Sequence, residues 1–225
     1  MNSIPVFIEA GKKRRFAGAI DWPGWCRSAP DEEMALRVLA DYGQRYNQVM
    51  QPGRLEFPAP VHASDFKVIE RRDGNATTDF GVPSVVMDVD KAPVDRAALE
   101  RFQTLLRLYW QAFDRAVKLA ADKTLRKGPR GGGREVGEMV AHVIGADQAY
   151  LAKLAWKFKA EAGLSPAEAL ARTRQAILEA VEQAVRSGLP EQGPRGGSIW
   201  PVRYFIRRVA WHVLDHTWEI EDRIQ

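Results

Sequence analysis

A single cysteine, Cys26, stands in the whole sequence, so no intrachain disulfide can staple the fold and stability must come from buried apolar cores. Long apolar runs are also missing. The stretch from Ile4 to Ile8 is too short for a secretory leader and is interrupted by Pro5, which predicts a soluble cytoplasmic protein that does not span a membrane. Charge of one sign is scarce as well: 33 Lys+Arg against 29 Asp+Glu leave a net charge of +4. The sequence pI of about 9.3 overstates that excess, because a few charges move a pI far near neutrality. Nucleic-acid binding needs a clustered basic face, and the one dense basic run, Lys12-Lys13-Arg14-Arg15, reads as a solvated turn. Nucleic acid is therefore not an expected partner. Histidine is rare too, with four in the chain.

With 225 residues, 45% of them hydrophobic and 28% charged, the composition is that of a folded protein large enough for two small domains. The first stretch alternates short apolar segments with turns. Pro5–Glu9 and Phe16–Asp21 read as a hairpin around Gly11, ended by the Pro and Gly of Trp22-Pro23-Gly24-Trp25-Cys26. Ser28 to Glu33 places a polar cap, a proline and acidic residues where a helix begins. Met34, Leu36, Val38, Leu39, Tyr42 and Tyr46 follow at helical spacing up to Gln51-Pro52-Gly53. Phe66–Glu70 predicts a third strand, and Val85–Val89 is either a fourth or a linker.

From Pro93 onward the pattern becomes helical. Asp95–Ala121 carries Leu99, Phe102, Leu105, Leu106, Tyr109, Phe113, Val117 and Ala120 on one stripe. A second helix is expected over about Arg134–Ala160. A third opens at the capping box Ser165-Pro166-Ala167-Glu168 and runs to about Ser187, and a fourth covers Trp200 to about Arg223. Four helices of this length imply an up-down four-helix bundle. The fold class is thus two-domain α+β: a small N-terminal antiparallel sheet with one helix over residues 1–75, a linker or extra strand over 76–92, and the bundle over 93–225.

Three of the four histidines fall in the expected bundle; the other, His62, lies in a proline-rich stretch. His212 and His216 are four residues apart, which on a helix sets them about 40° apart around the axis and about 6 Å along it. Two imidazoles so placed can reach one ion. His142 sits in the apolar run Met139-Val140-Ala141-His142-Val143-Ile144, where an unpaired imidazole would be costly. Three imidazoles from two helices leave coordination positions open for water or substrate, the layout of a catalytic site. One divalent transition metal fits such nitrogen donors: zinc or nickel first, with iron or cobalt also compatible.

Carboxylates lie nearby in sequence. Glu138, four residues before His142, is the candidate proton acceptor or hydrogen-bond support for a ligand. Glu219, three residues after His216, and Asp215, its neighbour, have the spacing of helix-surface ion-pair formers. Trp110, Trp211 and Trp218 read as core, and Cys26, flanked by apolar residues, as a small buried hydrophobe. The loop Arg126-Lys127-Gly128-Pro129-Arg130-Gly131-Gly132-Gly133-Arg134 is basic but lacks the Gly-Lys-Ser/Thr ending of a phosphate loop. With Arg195 it frames a mouth for an anionic substrate only if both loops lie at the bundle end nearest the metal.

The part from about Pro93 to Gln225 resembles the DinB/YfiT-like family of metal-binding four-helix bundles. The features that carry the resemblance are His142 mid-way along the second helix and the last-helix run Trp211-His212-Val213-Leu214-Asp215-His216-Thr217-Trp218-Glu219. It implies that His142, His212 and His216 are metal ligands. Relatives include thiol-dependent transferases and isomerases, so a low-molecular-weight thiol cofactor and an unidentified small-molecule substrate are implied, with thiol transfer, isomerisation or hydrolysis as the reaction. The part from about Ile4 to Asp73 resembles HicB-like domains through Asp21-Trp22-Pro23-Gly24-Trp25-Cys26 and Pro30-Asp31-Glu32-Glu33-Met34-Ala35. It departs from them by the extra Trp25 and by lacking a helix-turn-helix segment. The competing expectation is a non-catalytic metal-binding module whose HicB-like domain docks a protein partner. A homodimer is compatible with the sequence, though no apolar seam marks one.

Overall fold

Residues 3–60, 62–127, 133–193 and 196–225 are described by the computed structural model. They form an α+β protein that divides into two units, Met1–Ala92 with Ile206–Trp211, and Pro93–Phe205 with His212–Gln225.

In the first unit, β1 (Ile4–Ala10) turns at Gly11, whose N–H donates to the Arg14 carbonyl at 2.8 Å, into β2 (Arg15–Ala19). The Pro-Gly block after it ends β2 as the sequence predicts but does not leave the sheet. The Trp25 N–H donates to the Trp22 carbonyl (3.1 Å), Gly24 takes φ +90, and the chain re-enters as β3 (Cys26–Ala29). Two helices follow, α1 (Glu32–Asp41) and α2 (Gly43–Met50), where one was expected. The break falls at Tyr42, and Gly43 is held against the Pro60 ring, 2.9 Å from where a Cβ would stand. The Asp31 carboxylate caps α1 by accepting from the Met34 N–H.

After these helices β4 (Phe66–Asp73) completes a sheet of order β3-β2-β1-β4. The first three strands pair antiparallel, but β4 pairs parallel to β1, so the sheet is mixed and not the antiparallel one expected. The reason is the connection: a helical crossover returns the chain in the sense of β1, whereas a hairpin would reverse it. β1, central and buried along most of its length, supplies Val6, Phe7 and Ile8 to the core. Phe7, Phe16, Cys26, Met87 and Trp211 form one apolar cluster, which makes Cys26 a buried hydrophobe.

After the short helix α3 (Ala76–Phe80), Val85–Val89 does not form a strand. Carboxylates take its amides instead of a ladder: Glu9 accepts from Val85, and Glu70 from Asp88 and Val89.

The second unit holds four long helices: α4 (Arg96–Ala120), α5 (Val136–Leu151), α6 (Pro166–Ser187) and α7 (Val202–Arg223), the last contributing Ile206–Trp211 to the first unit. Asp95 caps α4, and Ser165 with Glu168 forms the predicted capping box of α6. α4, α5 and α6 pack against one another. The helix expected to reach Ala160 stops at Leu151, passing through a 3-10 turn to Ala155 in the left-handed region (φ 58). No sequence signal marks this stop. The turn closes locally, the Trp156 N–H donating to the Leu151 carbonyl and the Ala155 N–H to the Ala152 carbonyl (both 3.1 Å), and the Lys153 carbonyl accepts from the Trp200 N–H at 2.9 Å. Among the described residues no helix is long and apolar enough to cross a membrane.

Candidate metal centre

α5 and α7 supply all three histidines of the second unit. On α7 the four-residue spacing stacks His212 and His216 on one side of the helix, their ring centroids 4.7 Å apart. His142 faces both, 5.0 Å from each ring centroid. The Nε2 atoms of His142 and His212 are 3.1 Å apart, and one ligand nitrogen from each of the three lies within 4.8 Å of the others. Two nitrogens bound tetrahedrally at about 2.0–2.1 Å are separated by roughly 3.3 Å; the His142–His212 pair stands near that spacing, and the three-nitrogen set, within 4.8 Å, could hold a metal ion.

His212 and His216 are buried and His142 is half-buried, which leaves the cluster one accessible side. Burial is the main cause that lowers the His142 pKa, with His216 and the Arg134 charge adding to it and Glu219 opposing. A lowered pKa keeps the imidazole neutral and its lone pair available, the form a metal binds.

A carboxylate and a guanidinium back the cluster. His216 Nδ1 is 2.9 Å from Glu219 Oε2. The hydrogen bond to His216 is the largest cause lowering the Glu219 pKa, with Arg223 contributing and burial opposing. Glu219 is therefore the acceptor and Nδ1 carries the proton, which presents Nε2 as the lone-pair atom. Arg223 holds Glu219 Oε1 at 2.9 Å and also donates to the carbonyls of Arg134 (3.0 Å) and Arg126 (2.8 Å). Gly133, at φ +143, makes room for it: a Cβ there would come within 2.5 Å of Arg223 Nη2. The ends of the basic loop thus meet the site through Arg223, while Gly128 to Gly132 and Arg195 lie outside the described residues.

The other residues singled out in the sequence are placed elsewhere. Glu138 is exposed, and its carboxylate accepts from the Glu135 N–H at 2.9 Å as the capping box of α5. His62 is exposed and begins the turn to Asp65. The Lys12–Arg15 run is tied down locally: the Lys13 N–H donates to Asp79, Arg14 to Ser28, and Arg15 to the Lys12 carbonyl. Trp110, Trp211 and Trp218 are buried. Glu219 has the spacing of a surface ion-pair former, yet positions 216, 219 and 223 share one helix side, and that was the signal for its place beside the cluster. A buried acid on α5, Asp147, has no sequence signal at all. Burial raises its pKa to about 8 against the opposing charge of Arg174, and its Oδ1 has no hydrogen-bond partner among the described residues.

The family model of the DinB superfamily matches residues 105–220, which include all three clustered histidines. No curated protein and no solved structure matches the chain.

Proposed function

The chain belongs to the DinB superfamily, and from that premise we propose that His142, His212 and His216 bind one divalent transition metal and that the site serves metal-dependent chemistry on a small molecule, thiol transfer or hydrolysis. The observation that carries this reading is the convergence of three imidazole nitrogens within 4.8 Å on a partly accessible face. In the same reading α4 to α7 form an up-down four-helix bundle, the first unit is a HicB-like module, and the metal is zinc or nickel, with iron or cobalt also fitting nitrogen donors.

A metal held here would act as a Lewis acid, lowering the pKa of a coordinated thiol or water so that its anion exists at neutral pH. The protein's part is to position. His142, kept neutral by burial, offers a lone pair without first losing a proton. Glu219 takes the Nδ1 proton of His216 in a hydrogen bond and fixes which nitrogen faces the cluster. Arg223 fixes Glu219 in turn. Glu138, engaged in capping α5, leaves Glu219 as the carboxylate that serves the site. An open side at His142 admits the substrate.

Metal analysis of the purified protein tests the assignment. One equivalent of metal is expected in the wild type, and none in the His212→Ala/His216→Ala double variant; full occupancy of that variant would overturn it. A screen of thiol transfer and hydrolysis with metal added and removed tests the chemistry. Metal binding with no metal-dependent turnover would favour a non-catalytic module.

A further inference from the structure

The rings next to the histidines continue in one direction. Tyr150 lies 6.0 Å from the His212 ring, Trp200 lies 5.2 Å from Tyr150, and the Lys153 ammonium lies 5.8 Å from Trp200. Tyr150, Lys153 and Trp200 are all half-buried, so each keeps an accessible side. The geometry is held from behind: Trp200 packs edge-on against buried Tyr204 at 4.9 Å, and its N–H is bound to the Lys153 carbonyl. Lys153 Nζ meets only a neutral partner, Ser198 Oγ at 3.2 Å, and forms no ion pair among the described residues.

An ammonium at the accessible end of a half-buried lysine, beside an aromatic face and without a carboxylate, is a cation set to receive an anion. We infer that Tyr150, Trp200 and Lys153 form a ligand subsite beside the histidine cluster that takes a carboxylate-bearing molecule with a flat apolar body, the body against the two rings and the carboxylate on Lys153. The subsite stands on these contacts alone; that the ligand's other end reaches a metal rests on the reading above.

Calorimetric titration of the chelator-treated full chain with 4-phenylbutanoate and with its amide tests the subsite. The acid is expected to bind about fivefold to tenfold more tightly than the amide, with Lys153→Met abolishing that preference. Trp200→Ala is expected to weaken both ligands, and Trp200→Phe, which keeps a ring, restores binding if the alanine variant does not fold. Equal affinities for acid and amide, or a preference that survives Lys153→Met, would overturn the subsite. A second titration uses 4-(4-sulfanylphenyl)butanoate with and without zinc. Tighter binding with zinc, lost in the His212→Ala/His216→Ala variant, supports the placement of the two sites on one ligand. If zinc changes nothing while the acid preference and its loss in Lys153→Met persist, the metal reading fails and the subsite stands; the opposite pattern overturns the subsite and keeps the metal.

Discussion

The first unit buries Glu9, and the second buries Asp147 and two of three clustered imidazoles, yet the two regions treat these groups differently. Glu9 has both oxygens engaged, Oε1 by the Thr78 hydroxyl and the Ser84 N–H and Oε2 by the Val85 N–H, and so pins the 78–85 segment to β1. Asp90 is likewise matched, its carboxylate forming a buried ion pair with Arg207. In the second unit three like groups point at one another, and Asp147 carries an oxygen with no hydrogen-bond partner among the described residues. Carboxylates matched to donors stabilise a fold and offer little to a ligand; clustered imidazoles can serve one another, as in the 3.1 Å His142–His212 contact, or a bound ion.

The largest test of that contrast is on the histidines. Replacing His142, His212 or His216 by Ala is expected to weaken zinc binding by about a hundredfold to a thousandfold each, read by competition with a chelator, while shifting the stability of the metal-free protein by under about 2 kcal/mol. Glu9→Ala should do the reverse: a loss of about 3–5 kcal/mol in urea unfolding, with zinc affinity retained in the folded fraction. A histidine variant that unfolds the metal-free protein, or a Glu9 variant as stable as wild type, would erase the distinction.

Asp147 supplies a test of intermediate size and of definite sign. Its pKa is about 8 in the folded protein against 3.8 for an exposed carboxyl. Below that lower value both states hold the proton, and the group's contribution to stability is fully present. As pH rises the unfolded chain releases the proton first, so stability falls across the interval and levels off above about 8. Asp147→Asn is expected to match wild type at acid pH and to be roughly 2–4 kcal/mol more stable near pH 8, measured by denaturation across the range. Parallel stability profiles for the two proteins would show that Asp147 is ionised and paired in the fold.

The smallest effect is expected at the supporting carboxylate. Glu219→Gln should lower zinc affinity about tenfold to a hundredfold, with the fold unchanged by circular dichroism, because His216 loses a charged acceptor but remains in place. Glu138→Gln, on the capping box, should leave affinity unchanged. Equal losses in the two variants would remove Glu219's special position.

Much of this molecule is legible without coordinates. A helix start can be read where a side chain fixes it locally, as at Ser165, whereas the cap of α1 falls on Asp31 and not on Ser28, which lies in β3. The pairing of His212 with His216 follows from helical geometry alone. Pairings between segments are less legible: β3 exists through its ladder with β2, and β4 through its parallel ladder with β1. His142 can be flagged as an isolated imidazole in an apolar run, but nothing in its own segment shows that it meets α7.

The sequence by itself determined the capping box of α6, the helical faces, the absence of an intrachain disulfide and the pairing of His212 with His216, because each is a matter of residue type or of residues within a few positions of one another. Tertiary structure alone decided the parallel placement of β4, the 3.1 Å approach of His142 to His212, the exchange of Glu138 for Glu219 beside the cluster, and the burial of Asp147. Those depend on which helix or strand arrives from far along the chain, and on the loss of water when it does.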